Sequence, residues 1–182
     1  MNSRAEINIA RAGEFFIYCL WIHGQMADLI IFKKYPGLIG PFVSSPNRIP
    51  AEMVDLRSQY WEKGFFRIKK EFEQLFFNQI GDKHKNDLGA IYYLRNAIAH
   101  SHVSIGRDYF LYRPGRGEEH QAKIVSALEL EPVENPSAPQ MMTMRFFDDQ
   151  RYLKDFNRIK RLDEECFSEI ARSLSVPHGR IR

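Results

Sequence analysis

The sequence predicts a mostly α-helical protein with a small β-rich insert before its last helix. Three observations predict this class. Apolar residues recur at helical spacing in three long N-terminal stretches, the pattern changes after residue 102 to short segments bounded by turn residues, and helical spacing returns from about residue 148. We expect about four long helices in an antiparallel bundle. The length of 182 residues fits a single domain over 1–182, with the insert at about 102–147.

The composition is that of a globular protein. Hydrophobic residues make up 44% of the chain and charged residues 27%, which excludes the disordered class. The net charge of +3 permits an anionic partner but is low for a dedicated DNA-binding domain. A nucleic-acid contact is therefore expected to be a local patch.

The chain also predicts a cytoplasmic protein with no membrane segment. The N-terminal residues Arg4, Glu6 and Arg11 do not fit a signal peptide, and the longest apolar run, 15–22, is too short to cross a bilayer. The sparse cysteines, Cys19 and Cys166, indicate a reducing compartment and are expected to be buried thiols.

Helix 1 is predicted from about Arg4 to Lys34. Ser3 and Glu6 have the spacing of a capping box at its start. Its apolar stripe consists of Phe15, Cys19, Ile22, Met26 and Leu29. Further apolar residues lie off this stripe, at positions 16, 20, 21, 31 and 32. This pattern fits either a central core helix or a helix that also contacts a second subunit.

The next two helices follow a Pro/Gly-rich connector at 35–50. Helix 2 is predicted from Pro50, a favourable residue for a first helical turn, to about Phe77. A polar turn at 81–87 then offers Asn86 or Asp87 as the cap of helix 3. Helix 3 ends near residue 100.

The segment 102–147 carries the predicted β-structure. Residues 102–116 are expected to form a hairpin that turns at Gly106–Asp108, and Ala122–Leu130 a third strand. Residues 131–140 are expected to be loop, and 141–147 a fourth strand or the start of a helix. The last helix is predicted over about Asp148 to Leu174, followed by a frayed tail.

Residues 94–102, LRNAIAHSH, are the candidate functional motif. Arg95 is a permanent cation, Asn96 a hydrogen-bonding amide, and His100 a side chain that titrates near neutral pH. Asn96 and His100 are four residues apart and share a helix face, with Arg95 about 100° away, so all three can border one groove. The alternative is a structural role, with Arg95 paired to an acid such as Asp87 or Glu73 and a histidine that complements the helix C-terminus.

The residues RNAIAH resemble the defining motif of the HEPN superfamily, in which a polar residue follows an arginine and a histidine lies a few positions beyond. The resemblance implies a helical, dimeric, metal-independent ribonuclease of the toxin, antiphage or RNA-processing type, with no cofactor. Arg95 and His100 would be the active pair and Asn96 the polar helper. His102 also falls within the allowed spacing and is the alternative to His100.

The chemistry of these groups fits RNA cleavage. RNA carries its own nucleophile, the 2′-hydroxyl, from which a histidine can take a proton while an arginine stabilises the phosphoryl oxygens. The resemblance implies a homodimer with two motifs across one cleft, and a possible antitoxin or other partner protein. The alternative function is a non-catalytic module that binds a nucleotide or a protein.

The predicted hairpin is a second candidate element. Its arginines and tyrosines are of the kind that contact phosphates and stack on bases, and the RNA-binding residues predicted here are Arg107, Tyr109, Tyr112 and Arg113. Arg116 adds to the charge, which Glu118 and Glu119 offset. The alternative is a hairpin whose aromatic residues pack against the helices.

No metal site is predicted from the histidines. His100 and His102 offer two metal ligands, but no third ligand has a matching spacing. His23, His84, His120 and His178 are expected to be ordinary core-edge or surface residues.

Overall fold

The fold is mostly α-helical with one small antiparallel sheet, as predicted. The computed structural model describes residues 3–45, 48–103, 107–115, 117–133 and 140–179. About 70% of the described residues are helical. The helices are α1 (Arg4–Lys34), α2 (Ile39–Ser44), α3 (Ala51–Trp61), α4 (Phe65–Leu75), α5 (Asp82–Ala99), α6 (Glu118–Leu128), α7 (Asp149–Arg161) and α8 (Ser168–Ser173). The strands are β1 (His102–Val103), β2 (Phe110–Tyr112), β3 (Glu131–Pro132) and β4 (Met142–Met144).

The chain divides into two compact units. The first consists of Met1–Cys19 and Gly89–Arg158, and the second of Leu20–Leu88 and Ile159–Arg182. The first unit holds the sheet, α6 and the LRNAIAHSH motif. The second holds α2, α3, α4 and α8.

Helix α1 begins and ends where the sequence predicts. The capping box is formed, because Glu6 N–H donates to Ser3 Oγ at 3.3 Å and Ser3 N–H donates to the Glu6 carboxylate at 2.6 Å. The predicted stripe is buried, with Phe15, Cys19 and Ile22 at 0% exposure. By length and composition α1 contains a window apolar enough to cross a membrane, but half of that window is buried inside the protein, as in a core helix.

The predicted helix 2 is two helices rather than one. Helix α3 ends at Trp61, and α4 begins after Gly64, whose backbone is extended at φ −61° and ψ 152°. Glycine is a poor residue for a helix interior because it loses the most conformational freedom on folding. The apolar stripe continues on both sides of the break, so the hydrophobic periodicity does not predict that the helix is interrupted here.

The sheet has the strand order β1-β2-β4-β3, with all neighbours antiparallel. The predicted hairpin is present, with His102 opposite Leu111 and Val103 opposite Phe110. Its predicted turn residue Gly106 lies outside the described residues. The fourth predicted strand is β4.

The predicted third strand at 122–130 is wrong, because this segment belongs to α6. Ile124 and Leu128 are buried at a spacing of four residues, which is one face of a helix. Glu118 and Glu119 in the first turn favour the helix through its dipole. The third strand is instead β3, which lies in the segment predicted to be loop and pairs with β4.

An aromatic cluster forms the core of the first unit around Phe146. Its ring centroid lies 5.5 Å from that of Phe15 on α1 and 5.8 Å from that of Phe110 on β2. Asn8 on α1 accepts the Phe146 N–H, and Arg11 donates to the Phe146 carbonyl at 3.0 Å. The start of α1 therefore fixes the segment that follows β4.

The last helical segment is continuous from Asp149 to Ser173, as predicted. Its middle part, Leu162–Phe167, is π-helical and joins α7 to α8. Such π-helical turns are rare and occur often at functional sites.

The described part of the segment after α8, up to residue 179, is docked rather than frayed, and residues 180–182 of the predicted tail lie outside the described residues. Ser175 has a left-handed φ of 59°, Val176 N–H donates to the Ala171 carbonyl at 3.0 Å, and Ser175 N–H donates to the Arg172 carbonyl at 3.0 Å. These two bonds form a Schellman motif, and Val176 is buried beside it. Because serine occupies the position where glycine is usual, the sequence carries no signal for this helix end.

We expect Ser175→Gly to stabilise the protein by about 0.5–1 kcal/mol, because glycine adopts the left-handed conformation without strain. The measurement is the free energy of unfolding by urea denaturation. The control is Glu169→Gly on an exposed turn of α8, which should destabilise by a similar amount. A loss of stability in Ser175→Gly would contradict the left-handed cap.

Candidate functional site

The motif lies at the C-terminal end of α5. Leu94 and Ala97 are fully buried and fix this end of the helix, while Arg95 and Asn96 are partly exposed. The helix ends at Ala99, and His100 N–H still donates to the Asn96 carbonyl at 3.0 Å. Ser101 Oγ donates to the Ala97 carbonyl and so satisfies one of the last carbonyls of the helix.

Arg95 is held by two neighbours, neither of which is an acid. Its Nη1 donates to Asn96 Oδ1 at 3.1 Å, and its guanidinium lies 5.8 Å from the centre of the Phe16 ring on α1. Both contacts orient the guanidinium, the second through a cation–π interaction. Phe16 was predicted only as an apolar residue off the main stripe of α1.

No carboxylate among the described residues lies within ion-pair distance of Arg95. The acids of the structural alternative are bound to other cations: Asp87 accepts two hydrogen bonds from Arg161 at 2.7 Å each, and Glu73 pairs with Lys69 at 2.8 Å. The positive charge of Arg95 is therefore not neutralised by the described part of the chain.

The two candidate histidines are exposed to solvent. His100 is the first residue after α5, and His102 lies on β1 opposite Leu111. Neither imidazole has a hydrogen bond or an ion pair with any residue that the structure describes. The structure thus brings Arg95 and Asn96 into contact and leaves both imidazoles accessible just beyond the helix end.

The buried thiol near this site is not a nucleophile. Burial raises the pKa of Cys19 to about 12, which the positive charge of Arg95 lowers only in part and Asp155 raises further. The Cys19 thiol donates weakly to the Ile91 carbonyl at 4.0 Å. Cys19 therefore stays protonated at neutral pH and serves the core, as its position in the stripe predicts.

The predicted RNA-binding residues of the hairpin divide into two groups. Arg107 and Arg113 are exposed, with Arg113 donating to Gln140 Oε1 at 2.9 Å, and Tyr109 is half-buried. Tyr112 is only 6% exposed, and burial raises its pKa. Its ring packs in the core and is not available to stack on a base. Arg116 lies outside the described residues.

An open cleft of about 400 Å³ in the first unit was not predicted. Its cations are already engaged: Arg145 pairs with Glu131, Lys154 pairs with Glu129, and Arg151 donates to the carbonyls of residues 128 and 129. Three of these side chains come from α7 or the segment before it, Glu129 directly follows α6, and Glu131 lies on β3, so only the tertiary fold brings them together. The acidic and basic side chains of this cleft pair with one another.

Among the described residues, no group of three or more His, Cys, Asp and Glu side chains is placed to hold a metal ion. Comparisons with protein-family models, with curated proteins and with solved structures gave no match to this chain. The geometry around Arg95 is therefore the feature of this protein that bears most directly on its function.

Proposed function

We propose that this protein is a metal-independent endoribonuclease, similar to HEPN ribonucleases, with Arg95, Asn96 and His100 in its active site. One observation carries the proposal: Arg95 is a partly buried cation with no carboxylate partner among the described residues, five positions before an exposed imidazole. A cation in such a place favours binding of an anion, and a phosphodiester is an anion that an adjacent histidine can help to cleave.

The proposed reaction needs no group beyond side chains and RNA. The His100 imidazole takes the proton of the 2′-hydroxyl, whose oxygen then attacks the adjacent phosphorus. Arg95 has one N–H bound to Asn96 and others left to donate to the phosphoryl oxygens as charge builds on them. The bond to the 5′-oxygen breaks, that oxygen takes up a proton, and the products are a 2′,3′-cyclic phosphate and a 5′-hydroxyl. His102 is the alternative base.

The proposal includes a homodimer in which a second motif supplies the proton donor for the leaving oxygen. The surface of α1 supports this. Ile9 and Ile17 are 53% and 64% exposed, and Ile17 directly follows Phe16, on which Arg95 stacks. Exposed apolar side chains occur at subunit interfaces. In the proposed dimer this face forms the interface and the partner's motif lies close to Arg95.

The remaining parts of the proposal follow the family resemblance. They are an antiparallel helical bundle as the finer description of the fold, a cytoplasmic location, and a toxin or antiphage role in which a partner protein restrains the enzyme. The mostly helical fold is consistent with the first of these.

We expect the wild-type protein to cleave a labelled single-stranded RNA in EDTA and to leave cyclic phosphate ends. Arg95→Ala and His100→Ala should each lower the rate by about 10²–10⁴-fold, because each removes a group that acts in the transition state. The matched control is His120→Ala, an exposed histidine of the same unit outside the motif, which should keep the wild-type rate.

The same assay separates the alternatives. A larger loss in His102→Ala than in His100→Ala would assign the base to His102. Equal cleavage by all variants would contradict catalysis at this motif, and no cleavage by the folded wild type would favour the non-catalytic binding module.

We expect Ile17→Glu to dissociate the dimer and to lower RNA cleavage by at least about tenfold, because a buried carboxylate at an apolar interface is unfavourable. Analytical ultracentrifugation measures the association state. Val54→Glu on α3, where the side chain is 46% exposed, is the control and should leave both properties unchanged. A wild-type protein that is monomeric while it cleaves RNA would rule out the dimer.

A further inference from the structure

The second unit contains a cavity whose wall carries unpaired polar groups. Its volume is about 220 Å³, and its lining includes Gln25, Arg57 and His178 beside the rings of Phe32 and Phe42. It has no part in the proposed RNA cleavage, because all of its lining residues belong to the second unit. The lining places the polar side chains of Gln25, Arg57 and His178 next to these two rings, and small-molecule sites combine apolar and convergent polar groups in this way.

His178 is held at the cavity by a buried acid. Its Nε2 lies 2.5 Å from Asp163 Oδ1, and the two side chains are 8% and 0% exposed. Asp163 belongs to the π-helical stretch Leu162–Phe167. The docked Schellman turn at 175–176 brings residue 178 back toward this stretch. Nothing in the spacing of residues 163 and 178 predicts the pair, and His178 was expected to be an ordinary residue.

Arg57 faces the same cavity and is fixed by Asp28. Its Nε and Nη2 donate to the two Asp28 oxygens at 2.7 and 2.6 Å. Burial raises the pKa of Asp28 despite the opposing effect of Arg57, so this pair lies in a poorly solvated wall. The bidentate contact uses two of the five guanidinium N–H groups.

Several polar groups in this wall of the cavity are therefore available to hydrogen-bond a ligand. In the part of the chain that the structure describes, Arg57 Nη1, His178 Nδ1 and the Gln25 amide have no hydrogen-bond partner. A guanidinium and a protonated imidazole both donate to oxygen anions. A water molecule occupies about 30 Å³, so the cavity has room for a ligand of roughly seven to nine heavy atoms.

We propose that this cavity binds a small organic anion with an apolar body. Arg57, with His178 and Gln25, holds the anionic group. Phe32, Phe42 and the neighbouring aliphatic residues hold the apolar body. Asp28 and Asp163 orient the Arg57 and His178 side chains and are positioning residues. The ligand is a carboxylate or a phosphate ester of about the size of a single aromatic ring.

Trp21 provides the readout, since its ring centroid lies 6.2 Å from that of His178. The chain has two tryptophans, so Trp61→Phe leaves Trp21 as the only indole. In this protein we expect benzoate or isopropyl phosphate to change the Trp21 fluorescence in a saturable way, with a dissociation constant of about 1 mM, as suits a ligand this small. Benzamide, the neutral analogue of benzoate, should give no saturable change.

Cavity variants test the assignment of residues. Arg57→Lys and His178→Gln should weaken anion binding by at least about tenfold, the loss expected for a charge-assisted hydrogen bond. Gln25→Leu leaves both ion pairs intact and should weaken binding by at least about threefold. This variant tests the cavity if the other two variants fail to fold. The matched control is Arg161→Lys, because Arg161 forms a similar bidentate pair with Asp87 and does not line the cavity.

Three results would overturn the proposal. They are no saturable change with either anion, equal binding of benzamide, and an effect of Arg161→Lys as large as that of the cavity variants. None of these results bears on RNA cleavage, so this proposal and the ribonuclease proposal fail independently.

Discussion

The partial burial of Arg95 without a neutralising carboxylate is the constraint on which the functional account depends. Removing a guanidinium from water is unfavourable unless its charge and its N–H groups are compensated. Here the described residues offer only the Asn96 amide and the face of the Phe16 ring. Both orient the cation and neither cancels its charge, so an anion that binds at this position supplies the missing compensation.

Three other partly buried arginines differ from Arg95 in the groups that they contact. Arg161 is bound to Asp87 and Arg158 to Asp155, and each donates to a carboxylate that is nearly inaccessible to solvent. Among the described residues Arg151 has no such acid, but it donates to two carbonyls at the end of α6 and so completes a helix terminus. Within the same part of the chain Arg95 makes neither kind of contact, although the buried residues Leu94 and Ala97 on either side anchor its helix.

The sequence predicts the long periodic helices and the motif. It does not predict element boundaries that depend on tertiary contacts or on an unusual backbone conformation. Helix α1 is predicted to its ends because both its capping box and its apolar stripe are local. The break at Gly64 interrupts no periodicity, and the left-handed residues Glu129 and Ser175 replace the glycines that would signal a helix end. A Schellman turn without a glycine at its left-handed position cannot be predicted from the sequence pattern.

The same distinction applies to the sites. Arg95, Asn96 and His100 are predictable because one helical turn brings them together. Phe16 beneath Arg95, and the Asp163–His178 and Asp28–Arg57 pairs, join residues that are distant along the chain. Only the fold creates these contacts, and no periodicity indicates them.

The most direct test of the central claim is whether a phosphodiester occupies the position beside Arg95. The measurement is the ¹⁵N NMR signals of the arginine side chains during titration with an oligoribonucleotide whose 2′-hydroxyls are methylated, so that it binds without being cut. The account predicts that the Arg95 guanidinium signals shift with saturation, while those of Arg161, bound to Asp87, stay unchanged. RNA binding that leaves the Arg95 signals in place, or the absence of any binding, would contradict it.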